Sequence, residues 1–136
     1  MNPISKRIHH PETYKTHSYG PKTHRRKSEI DPKKRHILQI LYTANQNATK
    51  RGLDFNLCFE DLDIPSHCPY LGWELTYRRG EGRLDTNFSI NRIDNSKGYF
   101  KDNVEVCSDL ANRMLQDCSD ERLVIFATNI LRMKSY

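Results

Sequence analysis

Residues 88–116 constrain the fold more tightly than any other part of the chain. In FSINRI (88–93) the residues alternate as an extended strand requires. Phe88 and Ile90 fall on one face, with Arg92 as a further candidate for it, and Ser89, Asn91 and Ile93 fall on the other. The stretch DNSKGYFKDN (94–103) is rich in turn formers, with Gly98 placed to supply a positive φ angle. A second strand, VEVC (104–107), follows, and Ser108 is set to cap a helix over DLANRMLQ (109–116). Strand, loop, strand and helix in so short a span predict a hairpin with a helix packed across it.

Upstream, Asp31 and Pro32 form a helix start, an N-cap carboxylate followed by a proline that needs no N–H partner. Ile37, Leu38, Leu41, Ala44 and Ala48 repeat at helical spacing, and Gly52 stands where a C′ glycine ends such a helix. Short pieces come next: a strand over DFNLC (54–58), one helical turn over FEDLDIP (59–65), a turn at CPYLG (68–72) and a strand at WELTY (73–77). Residues 78–86, glycine-interrupted and charged, read as an exposed loop. Ser119, with Asp120 and Glu121 behind it, opens a C-terminal helix whose apolar stripe is Leu123, Phe126, Ala127, Ile130 and Leu131.

With 136 residues there is room for one domain and a tail. The division expected is a basic flexible arm over residues 1–30 and a folded domain over 31–136. Residues 1–36 hold ten Lys or Arg against Glu12, Glu29 and Asp31, which leaves the remaining hundred slightly acidic. A basic arm on a near-neutral body suits a polyanionic partner, because each phosphate contact releases counterions; a solvated tail is the alternative. His10, His17 and His24 recur every seven residues, but no fixed backbone is expected there to hold them as ligands. No run is long and apolar enough for a membrane span, and the N-terminus lacks the apolar core of a signal peptide. The expected compartment is the cytoplasm. Cys58, Cys68, Cys107 and Cys118 form no CxxC pair and read as small buried or half-buried residues rather than disulfides.

The strand–loop–strand–helix stretch resembles the phage branch of the HNH endonuclease family. The likeness runs through CPYLG (68–72), SINRIDNSKGY (89–99), DNVEV (102–106) and ANRM (111–114), and ATKRGLDFNL (48–57) and EDLDIP (60–65) look like its lead-in. It covers roughly residues 44–131 and leaves the basic arm outside. The resemblance implies an α+β fold with a small ββα-metal core of His-Me finger type over residues 88–117, flanked by an N-terminal and a C-terminal helix. It also implies a metal-dependent DNA endonuclease, phage-encoded and working in the cytoplasm of an infected bacterium, with one Mg²⁺ or Mn²⁺ ion.

Carried onto this chain, the family's metal-binding aspartate falls on Asn91 and its general-base histidine on Arg92. The loop asparagine falls on Asn103, and the helix ligand on Asn112. NRID thus stands in place of the DRID form. An amide oxygen still ligates a hard cation, more weakly than a carboxylate, and Asp94 is positioned to compensate or to act as an outer partner. Arginine stays protonated near neutral pH, so Arg92 implies a phosphate clamp rather than a base. His67, Tyr70 and Tyr77 are the base candidates, with packing aromatics and a surface histidine as the other reading. Asn103 has an Asx turn as its alternative role.

Many HNH domains brace the site with a zinc ion on two CxxC pairs. Here those four positions are Cys68, Leu71, Ser108 and Ala111, so no structural zinc is expected, and Leu71, Trp73, Val104 and Leu110 are expected to brace the site. Candidate DNA contacts are Arg25, Arg26 and Lys27 in the arm, Lys97 and Lys101 beside the site, and Arg113 on the helix. A monomer with one such site nicks a single strand, whereas a homodimer cuts both. The rival expectation is a catalytically degenerate HNH-fold protein that binds DNA without cutting it.

Overall fold

A computed structural model describes residues 30–134. Almost all of the basic arm, including Arg25, Arg26 and Lys27, lies outside the described residues, as do positions 135 and 136. The described chain is mixed α+β. Helix α1 spans Pro32–Lys50, β1 Phe55–Asn56, β2 Phe88–Arg92, β3 Tyr99–Phe100, β4 Val104–Ser108, α2 Asp109–Leu115 and α3 Asp120–Lys134. Single 3₁₀ turns occupy Phe59–Asp61 and Lys101–Asn103. No helix among the described residues is long and apolar enough to cross a membrane.

Helix α1 begins as its sequence predicts: the Asp31 carboxylate accepts the Lys34 N–H at 3.1 Å. It ends at a left-handed Gly52, φ +67°, beyond which the Leu53 N–H returns to the Ala48 carbonyl at 2.8 Å. Between these caps it buries Ile37, Leu41 and Ala48. Strands β2 and β4 pair antiparallel in the register Phe88↔Ser108, Ile90↔Val106, Asn91↔Glu105. Phe88, Ile90 and Val106 enter the core that α1 supplies, together with Phe55, Leu57 and Leu75. Helix α2 lies on the hairpin and starts where Ser108 Oγ accepts the Ala111 N–H at 3.2 Å. Both faces of β2 are therefore covered, and even Asn91 is only 7% exposed.

Four local expectations change. The loop after β2 contains β3, which pairs parallel with β1 (Phe55↔Tyr99, Asn56↔Phe100). Gly98 is needed there for closeness, not for a positive φ: a Cβ on it would sit 2.1 Å from the Asp54 carbonyl oxygen. Residues 73–77 form no ladder, only isolated bridges, His67↔Glu74 and Thr76↔Asn87. Helix α3 forms at its predicted start, but its apolar residues do not join the core. Phe126 and Leu131 are exposed, and no α3 residue is buried.

Candidate functional site

One face of the β2–β4 hairpin gathers polar side chains. Asn91 and Glu105 are directly opposed across the strands, and Asn91 Nδ2 donates to Glu105 Oε1 at 3.0 Å. The Tyr70 hydroxyl, from the turn at 69–71, donates to the same oxygen at 2.5 Å. Asn112 descends from α2 onto this face, its Nδ2 2.8 Å from Ser89 Oγ and 3.4 Å from the Ile90 carbonyl. Alternation along β2 puts Ser89 and Asn91 on the same side, so Asn91, Glu105 and Asn112 share one face. These contacts leave Asn91 Oδ1, Glu105 Oε2 and Asn112 Oδ1 without hydrogen-bond partners among the described residues. All three are hard oxygen donors. An open cavity of about 340 Å³ runs beside Glu105, lined also by Asp61, Asp63 and Lys101.

Arg92 and Asn103 stand elsewhere, holding the loop that joins β2 to β4. Arg92 is 7% exposed, and its Nη1 donates to the carbonyls of Asn95 at 2.9 Å and Lys97 at 2.7 Å. The guanidinium also lies 5.4 Å from the Tyr99 ring centroid. Asn103, also buried, donates to the carbonyls of Asp94 and Gly98 and accepts the Asp94 N–H at 2.9 Å. Asn103 thus shapes the loop whose carbonyls hold Arg92. For the phosphate clamp expected of Arg92, the structure places Nη1 on two loop carbonyls and the side chain on the face of β2 opposite Asn91.

Asp94 lies in the same loop. Its carboxylate accepts the Ser96 N–H and hydroxyl at 2.9 and 2.6 Å, and Lys97 Nζ lies 3.8 Å away. Those hydrogen bonds, with Lys97 next, hold its pKa below the usual carboxylate range. Its oxygens close their own turn rather than joining Asn91.

Of the base candidates, only Tyr70 reaches this face. Burial, then the bond to Glu105, pushes its hydroxyl pKa up, so it keeps its proton and acts as a donor. Tyr77 instead stacks on Phe88, centroids 5.7 Å apart, on the core side of the hairpin, and burial raises its pKa. His67 pairs with Ser66 Oγ at 2.8 Å in an exposed turn. Among the basic candidates, Lys101 lines the cavity beside Glu105, and Lys97 is exposed next to Asp94. Arg113 is engaged by two acids, Asp85 and Asp109.

Of the four positions Cys68, Leu71, Ser108 and Ala111, the first and third are in contact. Cys68 Sγ accepts from Ser108 Oγ at 3.3 Å and from the Ser108 N–H at 3.4 Å, with Ala111 buried alongside. Burial pushes the Cys68 thiol up, but hydrogen bonds from Ser108 and from the Leu71 and Tyr70 backbone together outweigh it and leave its pKa lowered. This thiol–hydroxyl pair ties the turn at 69–71 to the start of α2. Leu71 and Val104 pack against the core as expected, whereas Trp73 is 40% exposed and takes no part in the bracing.

Glu105 is the residue the sequence reading missed. Its signal was present: an acid at the centre of an otherwise apolar strand, placed by hairpin register opposite Asn91. Among the described residues no group of three His, Cys, Asp or Glu could hold a metal, so an ion here would rest on one carboxylate and two amides. That donor set fits a hard cation such as Mg²⁺ or Mn²⁺ and suits zinc poorly. No protein-family model, no curated protein and no solved structure matches the chain.

Proposed function

We propose that this chain is a metal-dependent DNA endonuclease of HNH type, phage-encoded, with a ββα-metal core in which Glu105 supplies the carboxylate that Asn91 lacks. The observation that carries this reading is the contact of Asn91 with Glu105 on the hairpin face onto which Asn112 also descends, each with a free oxygen. These three would hold one Mg²⁺ or Mn²⁺ ion. Such an ion supplies charge to polarise a phosphodiester and to stabilise the departing oxygen. Tyr70 orients the Glu105 carboxylate by donating to one of its oxygens, which leaves the other for the cation. Arg92 and Asn103 act at one remove, keeping the hairpin loop closed so that Asn91 holds its register against Glu105. Lys101, exposed beside Glu105, and the basic arm would add sequence-independent attraction to duplex DNA.

The second reading, a DNA-binding protein that has lost catalysis, is favoured by one observation. Tyr70, the one base candidate on this face, holds its proton. Incubating the full chain with supercoiled plasmid and Mn²⁺, with EDTA and Glu105→Gln as controls, separates the two. Metal-dependent nicking that falls by roughly a hundredfold or more in Glu105→Gln supports the nuclease. Gel retardation without nicking supports the binder. Nicking that survives Glu105→Gln undiminished removes Glu105 from the site.

A further inference from the structure

On the opposite side of the hairpin, between α1 and the loop at 78–86, lies a second cavity of about 300 Å³. It is lined by His36, Arg78, Arg79 and Arg83 over an apolar floor that includes Phe88. His36 is 6% exposed, and neither of its ring nitrogens has a hydrogen-bond partner among the described residues. Buried polar groups are nearly always satisfied, so an imidazole with two open nitrogens at a cavity wall points to something that enters and meets it. Arg79 has no acidic partner among the described residues. Arg78 pairs with Glu81 and Arg83 with Asp109, each at 3.4 Å through arginine side chains more than 60% exposed. Such solvated pairs exchange readily for a better anion.

We propose that this pocket binds a phosphate group, with His36 donating a ring N–H and Arg79 and Arg83 supplying charge. Three guanidinium groups around one buried imidazole are the donor chemistry of a phosphate site, and arginine's planar fork matches two phosphate oxygens at once. Asp109 also lines the cavity and offsets part of this charge. The phosphate could be carried by a nucleic-acid strand or by a free nucleotide. The pocket shares no residue with the Asn91–Glu105–Asn112 face, so it stands whether or not that face cuts DNA.

The test uses the full chain with isotope-labelled histidine, observed by NMR in EDTA so that no cleavage intervenes. The probes are inorganic phosphate, a nucleoside 5′-monophosphate and a short DNA duplex. His36→Gln assigns the His36 ring signal, and His67, the other histidine among the described residues, reports whether the fold is intact. The expected result is a saturable shift of the His36 ring signals with at least one probe, weakened about tenfold by Arg79→Ala. A response to the duplex alone identifies a nucleic-acid phosphate, and a response to the small probes identifies a free one. His36 signals unmoved by all three probes, or a shift untouched by Arg79→Ala, overturn the proposal.

Discussion

Replacing Asn91 by aspartate should make the stability of this protein depend on metal. Asn91 Nδ2 now donates to Glu105 Oε1 across 3.0 Å. In Asn91→Asp that donor becomes an acceptor, and two carboxylates face each other with no proton between them. Two unit charges about 4 Å apart repel by about 4 kcal/mol at an effective dielectric of about 20. Glu105 is only half-buried, so screening reduces this to about 2 kcal/mol. For a domain of this size that corresponds to a Tm lower by about 10 °C in EDTA. Sharing a proton relieves the repulsion, so one carboxylate pKa rises in the folded state. The deficit should therefore be small at low pH and grow as pH rises through that raised value. A divalent cation removes it altogether. Melting followed by circular dichroism should show Mn²⁺ restoring the variant's Tm while moving the parent protein's far less, with nicking reaching its maximum at lower metal concentration. If the variant melts at the parent temperature in EDTA and ignores Mn²⁺, residues 91 and 105 do not face each other over a cation site.

Three further outcomes follow from the same structure. Arg92→Ala leaves the Asn95 and Lys97 carbonyls without their buried donor and should cost about 3 kcal/mol in urea unfolding, a loss of stability rather than of DNA affinity alone. Gly98→Ala drives a methyl group into the Asp54 carbonyl and should cost at least about 2 kcal/mol by the same measurement, more than a turn glycine free of close neighbours would. Burial, with Arg79 second, lowers the His36 pKa, so the unfolded chain binds the proton more readily. Stability should then fall as pH drops below about 6.5, and His36→Gln should flatten that limb of the pH–Tm curve.

Local signals carried the elements that local chemistry decides. Asp31, Gly52 and Ser108 marked the ends of α1 and the start of α2 because capping needs only a residue and its near neighbours. The alternation in residues 88–92 likewise placed Asn91 and Arg92 on opposite faces of β2. What stayed hidden depended on residues far apart in sequence. Glu105 acquires meaning only once hairpin register sets it against Asn91, and Tyr70 only once its turn folds over β4. The charge of Arg92 suggests a phosphate clamp in the sequence, and only the folded loop shows the two carbonyls and the Tyr99 ring that surround it. The stripe on α3 was legible, but an apolar stripe says nothing about which surface, if any, covers it.

The parallel pairing of residues 55–56 with residues 99–100 splices the hairpin loop to a strand more than forty positions upstream. A peptide limited to the hairpin and its helix would keep the pattern of the site but not this splint. Closing so long a loop is entropically slow compared with forming a helix or a tight turn, so Arg92 and Asn103 should settle late in folding. Changes at Asp54 or Phe55 would then be felt at Asn91 although neither residue lies on its face.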